Sequence, residues 1–235
     1  MEYLEILKDT FLTDDRYMYI VNGVIFSIGI TLFSAILGII LGLLLAIMKL
    51  SHWYPFKRIK ALENFNPLSK IAYIYIDVIR GTPVVVQLLI IYFVVFSTIR
   101  VDKVVAAVLT FGINSGAYQA EIFRAGIQSI PRGQFEAGRS LGFSYRQTMT
   151  TIIMPQAIKN ILPTLANEFI SLLKETSIAG YIALEDLTKA GDIIRSRTYS
   201  AFMPLIGVAL IYLILVLLLS TAAKALERRL KRGER

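Results

Sequence analysis

Residues 20–48 read IVNGVIFSIGITLFSAILGIILGLLLAIM, an unbroken run without a charged side chain. About 20 apolar residues are enough to carry a helix across a bilayer, and this run exceeds that. Its apolar positions do not alternate with period two, and backbone polar groups in lipid must be paired within the segment. The run therefore reads as a spanning helix and not as a barrel strand. Four further apolar blocks follow: Ile71–Ile99, interrupted by polar residues, then Val104–Ala120, Ile161–Leu173 and Ala201–Ala223. Together they predict an all-α integral membrane protein. Five spanning helices are expected, near residues 20–48, 71–99, 104–125, 157–182 and 201–223.

The composition agrees. Of 235 residues 55% are hydrophobic and 18% charged, with a mean hydropathy of +0.61, well above the roughly 45–50% apolar content of soluble domains. A water-soluble enzyme is therefore excluded. The net charge is +8, but the basic residues fall in the segments between apolar blocks and not on one face. That pattern fits anionic headgroups or an acidic partner and argues against nucleic acid. There is no cysteine, and His52 is the one histidine, so thiolate chemistry and a histidine-clustered metal site are both excluded. Glu2, Glu5, Asp9, Asp14 and Asp15 at the N-terminus are unlike the basic start of a secretory signal, so the segment is expected to be retained.

With five crossings, alternate loops share a side. Segments 49–70, 124–159 and 224–235 hold sixteen Lys and Arg, while 1–19, 100–103 and 183–200 hold seven. Basic residues favour the cytoplasmic side, so the N-terminus is expected outside and the C-terminus in the cytoplasm. Tyr17 and Tyr19 before the first helix, and Trp53 and Tyr54 after it, suit the two interfaces. A four-helix alternative treats 157–182 as a re-entrant hairpin because it contains Pro163, Glu168, Lys174 and Glu175. It would place the basic C-terminus outside, against the charge rule.

Three places break the apolar pattern. Arg80-Gly81-Thr82-Pro83 sets a charge, a flexible residue, a good N-cap and a first-turn proline in succession, which reads as a helix interruption. The helix restarting at Pro83 would offer N–H groups to a carboxylate, or the proline would simply kink the span. In the third helix Asn114, Tyr118 and Glu121 share a face at i, i+4 and i+7, with Ser115 beside them. An ionisable group in a membrane helix normally faces a partner or a cavity. Glu121 thus reads either as half of an ion pair, with Arg80 or Arg124, or as a substrate contact. Lys174-Glu175-Thr176-Ser177 reads first as a solvated helix end.

The segment between the third and fourth helices contains Glu136-Ala137-Gly138, then Gly142, Ile152 and Met154-Pro155. This resembles the EAA loop of permease subunits in ATP-binding-cassette importers, whose pattern runs Glu-Ala-Ala, three residues, Gly, nine residues, Ile, one residue, Leu-Pro. Gly138 replaces the second alanine and Met154 the leucine. Arg80-Gly81-Thr82-Pro83 with Gln87-Leu88, and the run from Gly116 to Ile127, are similar to the polar amino-acid branch of that family. The likeness covers nearly the whole chain.

The resemblance implies a type I ABC-importer-like permease of the cell (inner) membrane. It implies five helices per subunit, a dimer (expected to be a homodimer) and an extracytoplasmic amino-acid-binding protein. A short coupling helix near 136–148, within a segment spanning 131–155, would dock on a cytoplasmic ATPase dimer, with Glu136, Ala137, Gly138, Gly142 and Pro155 as coupling residues. The chain divides into an extracytoplasmic segment 1–19, a permease domain 20–223 and a basic tail 224–235. It contains no GxxxxGK[ST] loop, so no cofactor is expected here, and ATP and Mg belong to the partner ATPase. The expected substrate contacts are Gly81, Thr82, Asn114, Ser115, Tyr118 and Glu121, with Glu121 selecting a basic amino acid: arginine, lysine or histidine. Rival readings are glutamine or another polar amino acid as cargo, selectivity residing only in the binding protein, a proton-coupled secondary transporter, and a membrane scaffold.

Overall fold

A computed structural model describes residues 2–51, 53–56 and 63–231, with side chains from residue 5 onward. Among the described residues the chain is helical throughout and contains no strand. Helix α1 (Glu2–Phe11) precedes the long α2 (Tyr17–Leu50), which contains the first apolar block. The second block is two helices, α3 (Pro67–Arg80) and α4 (Val84–Ile90), the latter running into a π turn at Ile91–Val95. α5 (Lys103–Gln128) is followed by the short α6 (Arg132–Ser140) and α7 (Tyr145–Thr148), then α8 (Met154–Glu175), α9 (Leu187–Thr198) and α10 (Phe202–Lys231). Residues 232–235 of the basic tail lie outside the described residues.

α2 and α10 are long and apolar enough to cross a membrane on their own, and the broken α3–α4 pair qualifies when taken together. α5 and α8 carry the amide and ionisable side chains that lower their hydropathy, which is where a site is expected. α8 runs through Pro163 without a break. A continuous helix through Pro163 leaves no hairpin turn at that proline.

The fold comprises two compact units. The first takes residues 1–36, 82–112 and 169–220. Its core gathers Ile30, Leu88, Phe111, Leu172 and Ile182. α9 is started by Asp186, whose carboxylate accepts the N–H groups of Thr188 and Lys189. The same unit holds the Lys174–Ser177 stretch: Lys174 is exposed, while the buried Thr176 hydroxyl donates to the Leu173 carbonyl at 2.7 Å.

The second unit takes 37–81, 113–168 and 221–235. It has two apolar clusters, one around Ala72, Ile76, Ala117 and Ala120, the other around Ile130, Ile153, Ala157 and Ile161. Gly38 and Gly42 let α2 lie against α5: a Cβ on Gly38 would sit 2.7 Å from Gln119 Nε2, and one on Gly42 would sit 2.8 Å from Gln119 Cβ. The small-residue pair is thus used inside the subunit.

Candidate substrate path and coupling segment

α3 begins where Asn66 caps it, the side chain accepting the Ser69 N–H at 3.1 Å with Pro67 in the first turn. It ends at Arg80, and the Gly81 N–H is bonded to the Asp77 carbonyl at 2.9 Å. The predicted interruption is real. The Gly81 donor, however, is already used, so it is not free for a carboxylate. In the first unit Thr82 is engaged by Gln87, whose Nε2 donates to the Thr82 carbonyl at 3.1 Å and to its hydroxyl at 2.8 Å.

Polar residues of α5 collect against their neighbours in the second unit. Asn114 and Ser115 are buried. The Ser115 hydroxyl donates to Glu168 Oε1 on α8 at 3.1 Å and accepts from Gln119 Nε2 at 2.9 Å. The Arg80 guanidinium lies over the Tyr118 ring, 5.1 Å from its centroid. Arg80 also acts by charge on Glu168, yet no ion pair to Glu168 forms among the described residues. Glu168 is thus a half-buried carboxylate held by one neutral hydroxyl.

Glu121 is placed differently. One carboxylate oxygen accepts from Lys49 Nζ at the end of α2, and the other accepts from Arg124 Nε at 2.9 Å and Nη2 at 2.7 Å. The Lys49 side chain is 7% exposed and its ammonium also sits 4.1 Å from the centre of the Tyr73 ring. The face shared by Asn114, Tyr118 and Glu121 therefore divides into two centres. Of the two ion-pair partners expected for Glu121, Arg124 is present, whereas Arg80 stacks on Tyr118 instead.

Lys49, Gln119 and Glu168 were not among the predicted site residues. Helical periodicity reports which residues of one helix share a face, and all three meet α5 groups through tertiary contact or by facing α2. The readable signal was that Glu168 interrupts an apolar stretch of α8 and that Gln119 follows Ser115 by one turn.

The coupling segment forms two helices where one was expected near 136–148. α6 ends because Gly142 takes φ +81°, a left-handed conformation open to glycine. The Phe143 N–H reaches back to the Gly138 carbonyl and the Gly142 N–H to the Arg139 carbonyl, both at 3.0 Å, the paired bonds of a Schellman stop. α7 then starts with a reciprocal cap between Ser144 and Gln147. Gly138 is buried against α7, and a Cβ there would lie 2.7 Å from Thr148 Cγ2, which accounts for glycine replacing alanine. Glu136 and Ala137 face solvent, and Leu141 is 73% and Tyr145 61% exposed. Exposed apolar side chains on a rigid helical pair form a surface suited to a protein partner.

Residues 38–232 match the family described as binding-protein-dependent transport system inner membrane component. The chain belongs to that family. It is 40% identical over 218 residues to the arginine transport system permease protein ArtQ of Bacillus subtilis, covering 92% of this chain and 94% of that one. It is 43% identical over 166 residues to the glutamine transport system permease protein GlnP of Escherichia coli, covering 69% and 76%. A crystal structure of an amino acid ABC transporter with histidines contains a chain that superposes with a TM-score of 0.82 at 42% identity, covering 93% of this chain and 98% of that one. This is the type I importer permease fold. The chain is an amino-acid ABC permease, a transport component and not an enzyme. Membership implies an ATPase, a permease partner and a binding protein.

Proposed function

We propose that this permease carries basic amino acids, and that Glu168 is the group that selects them. The observation carrying this reading is a carboxylate within the membrane-spanning region that has Ser115 as its hydrogen-bond donor and no ion pair among the described residues. A half-buried carboxylate whose nearby cation, Arg80, makes no ion pair with it is costly to keep charged, and a guanidinium or ammonium arriving as cargo relieves that cost. Asn114, Ser115 and Tyr118 supply hydrogen bonds around it. Arg80 is the partner for the ligand's carboxylate, since its charge is held by a ring face and not by an acid.

Glu121 takes a different role in this reading. Its oxygens are occupied by Lys49 and Arg124, so it fixes α2 to α5 and leaves selection to Glu168. The permease works as a homodimer with its N-terminus outside and its C-terminus in the cytoplasm. ATP and Mg are held by the ATPase, which docks on Glu136, Ala137 and the turn at Gly142, with Pro155 starting the helix behind them. Uptake that persists without the ATPase would replace this mechanism with a proton-coupled one.

A second reading, glutamine as cargo, is favoured by the relatives named for glutamine transport. Arginine and glutamine uptake by a Glu168→Gln variant separates the two. Loss confined to arginine supports basic cargo; glutamine uptake kept by a wild type that carries little arginine supports the neutral one, and equal loss of both returns Glu168 to a structural role.

A further inference from the structure

A cavity of about 610 Å³ lies within the second unit where α2 ends and α3 begins, and neither Ser115 nor Glu168 lines it. Lys70, Tyr73 and Asp77 all line it. They are spaced i, i+3 and i+7 on α3 and so share one face, with Lys70 and Asp77 about 10 Å apart along the axis. Three of the other polar residues of the lining, Asn66, Ser69 and Lys49, are already engaged. Asn66 bonds Ser69 N–H and the Ser51 carbonyl, the Ser69 hydroxyl donates to the Lys49 carbonyl at 3.3 Å, and the Lys49 ammonium serves Glu121 and Tyr73. Lys70 and Asp77 form no ion pair among the described residues.

The cavity therefore offers one cation and one anion, two helical turns apart, with an aromatic ring between them. A bare phosphate or a phospholipid headgroup would satisfy Lys70 while lying against the Asp77 carboxylate. A small zwitterion with a second, extended cationic arm satisfies both ends. The volume falls in the range of small-molecule sites. We infer that this cavity binds a free basic amino acid, its carboxylate on Lys70 and its side-chain cation on Asp77 beside Tyr73. In the orientation proposed above the cavity opens at the cytoplasmic end of α2 and α3. It is a product-side site, so accumulated amino acid slows further import through the adjoining Lys49–Glu121 contact. This inference rests on that orientation but not on which amino acid is imported.

The test uses the complete importer in proteoliposomes, with arginine, glutamine or neither sealed on the product side. Initial uptake of whichever amino acid the importer carries is then measured. Wild type should slow with internal arginine and not with internal glutamine. Asp77→Asn and Lys70→Gln should each raise the half-inhibitory arginine concentration about tenfold, while uptake into empty vesicles stays within about twofold of wild type. Inhibition unchanged in both variants overturns the site. So does inhibition by glutamine equal to that by arginine, or a phospholipid retained by wild type in native mass spectrometry and lost from both variants. A glutamine-specific importer that internal arginine still inhibits through Asp77 would refute basic cargo and keep this site.

Discussion

Replacing Glu168 with glutamine changes one charge and almost no volume, which makes it the sharpest test of how this permease chooses its cargo. In the structure the carboxylate accepts one hydrogen bond, from Ser115 at 3.1 Å. Glutamine offers a carbonyl oxygen to the same hydroxyl, so the local packing survives. What disappears is the charge-assisted contact with an arriving guanidinium. A hydrogen bond to a charged group contributes about 1.5–3 kcal/mol, and partial burial favours the upper part of that range. A loss of about 2–3 kcal/mol corresponds to about a 30- to 150-fold fall in kcat/KM for arginine. For glutamine the expected fall is under about fivefold, because a neutral cargo never used the charge. Radiolabelled uptake should be expressed as the ratio of variant to wild type for each amino acid, delivered by the same binding protein so that its own selectivity cancels. Equal ratios for the two amino acids would refute the assignment and return Glu168 to a structural role.

Glu121→Ala should destabilise the protein by about 3–5 kcal/mol, because it strands a nearly buried Lys49 without its acid. Thermal unfolding in detergent reads this, and Lys49→Met in the same chain should recover most of the loss. Gly142→Ala, at a φ of +81°, should lose about 1 kcal/mol and uncouple ATP hydrolysis from uptake. Gly138→Ala, driven against Thr148, should lose about 1–3 kcal/mol by overpacking. Asp186→Ala removes the acceptor of two N–H groups and should lose about 1–2 kcal/mol, while Asp186→Asn, which keeps one acceptor oxygen, should lose less. Burial holds the Asp186 carboxyl above its ordinary value, against the pull of the Thr188 and Lys189 N–H groups. The folded state therefore keeps this proton longer than the unfolded chain does. Its contribution to stability falls as pH rises from the ordinary aspartate value to the raised one, and unfolding midpoints of Asp186→Asn should lack that slope.

The helical spans were legible because a bilayer imposes one requirement, long apolar runs with paired backbones, and Ile20–Met48 meets it without tertiary help. The break after Arg80 was legible for a local reason: Gly81, Thr82 and Pro83 each disfavour a continuing helix. The stop within the coupling segment was local too, but the family spacing that places Gly142 does not say that it turns left-handed and divides the segment into α6 and α7. The contacts of Glu121 were only half legible. Arg124 is three residues away on the same helix, whereas Lys49 is 72 residues distant and arrives through the approach of α2 permitted by Gly38 and Gly42. Glu168 was least legible, since its meaning depends on Ser115, 53 residues away.

The two carboxylates show why burial alone cannot name a transport site. An alternating-access cycle needs a group that can exchange partners, and the exchange is affordable only if the resting partner is weak. Glu121 would have to release two cations, one of them itself nearly buried, and breaking such a pair is worth several kcal/mol. Glu168 would release nothing but a share of one neutral hydroxyl, worth about 1 kcal/mol. Arg80, resting on the Tyr118 ring 5.1 Å away, is similarly free to turn toward an incoming carboxylate. On the proposed reading the weakly held charges, Glu168 and Arg80, meet the cargo, and the strongly held Glu121 fixes α2 to α5.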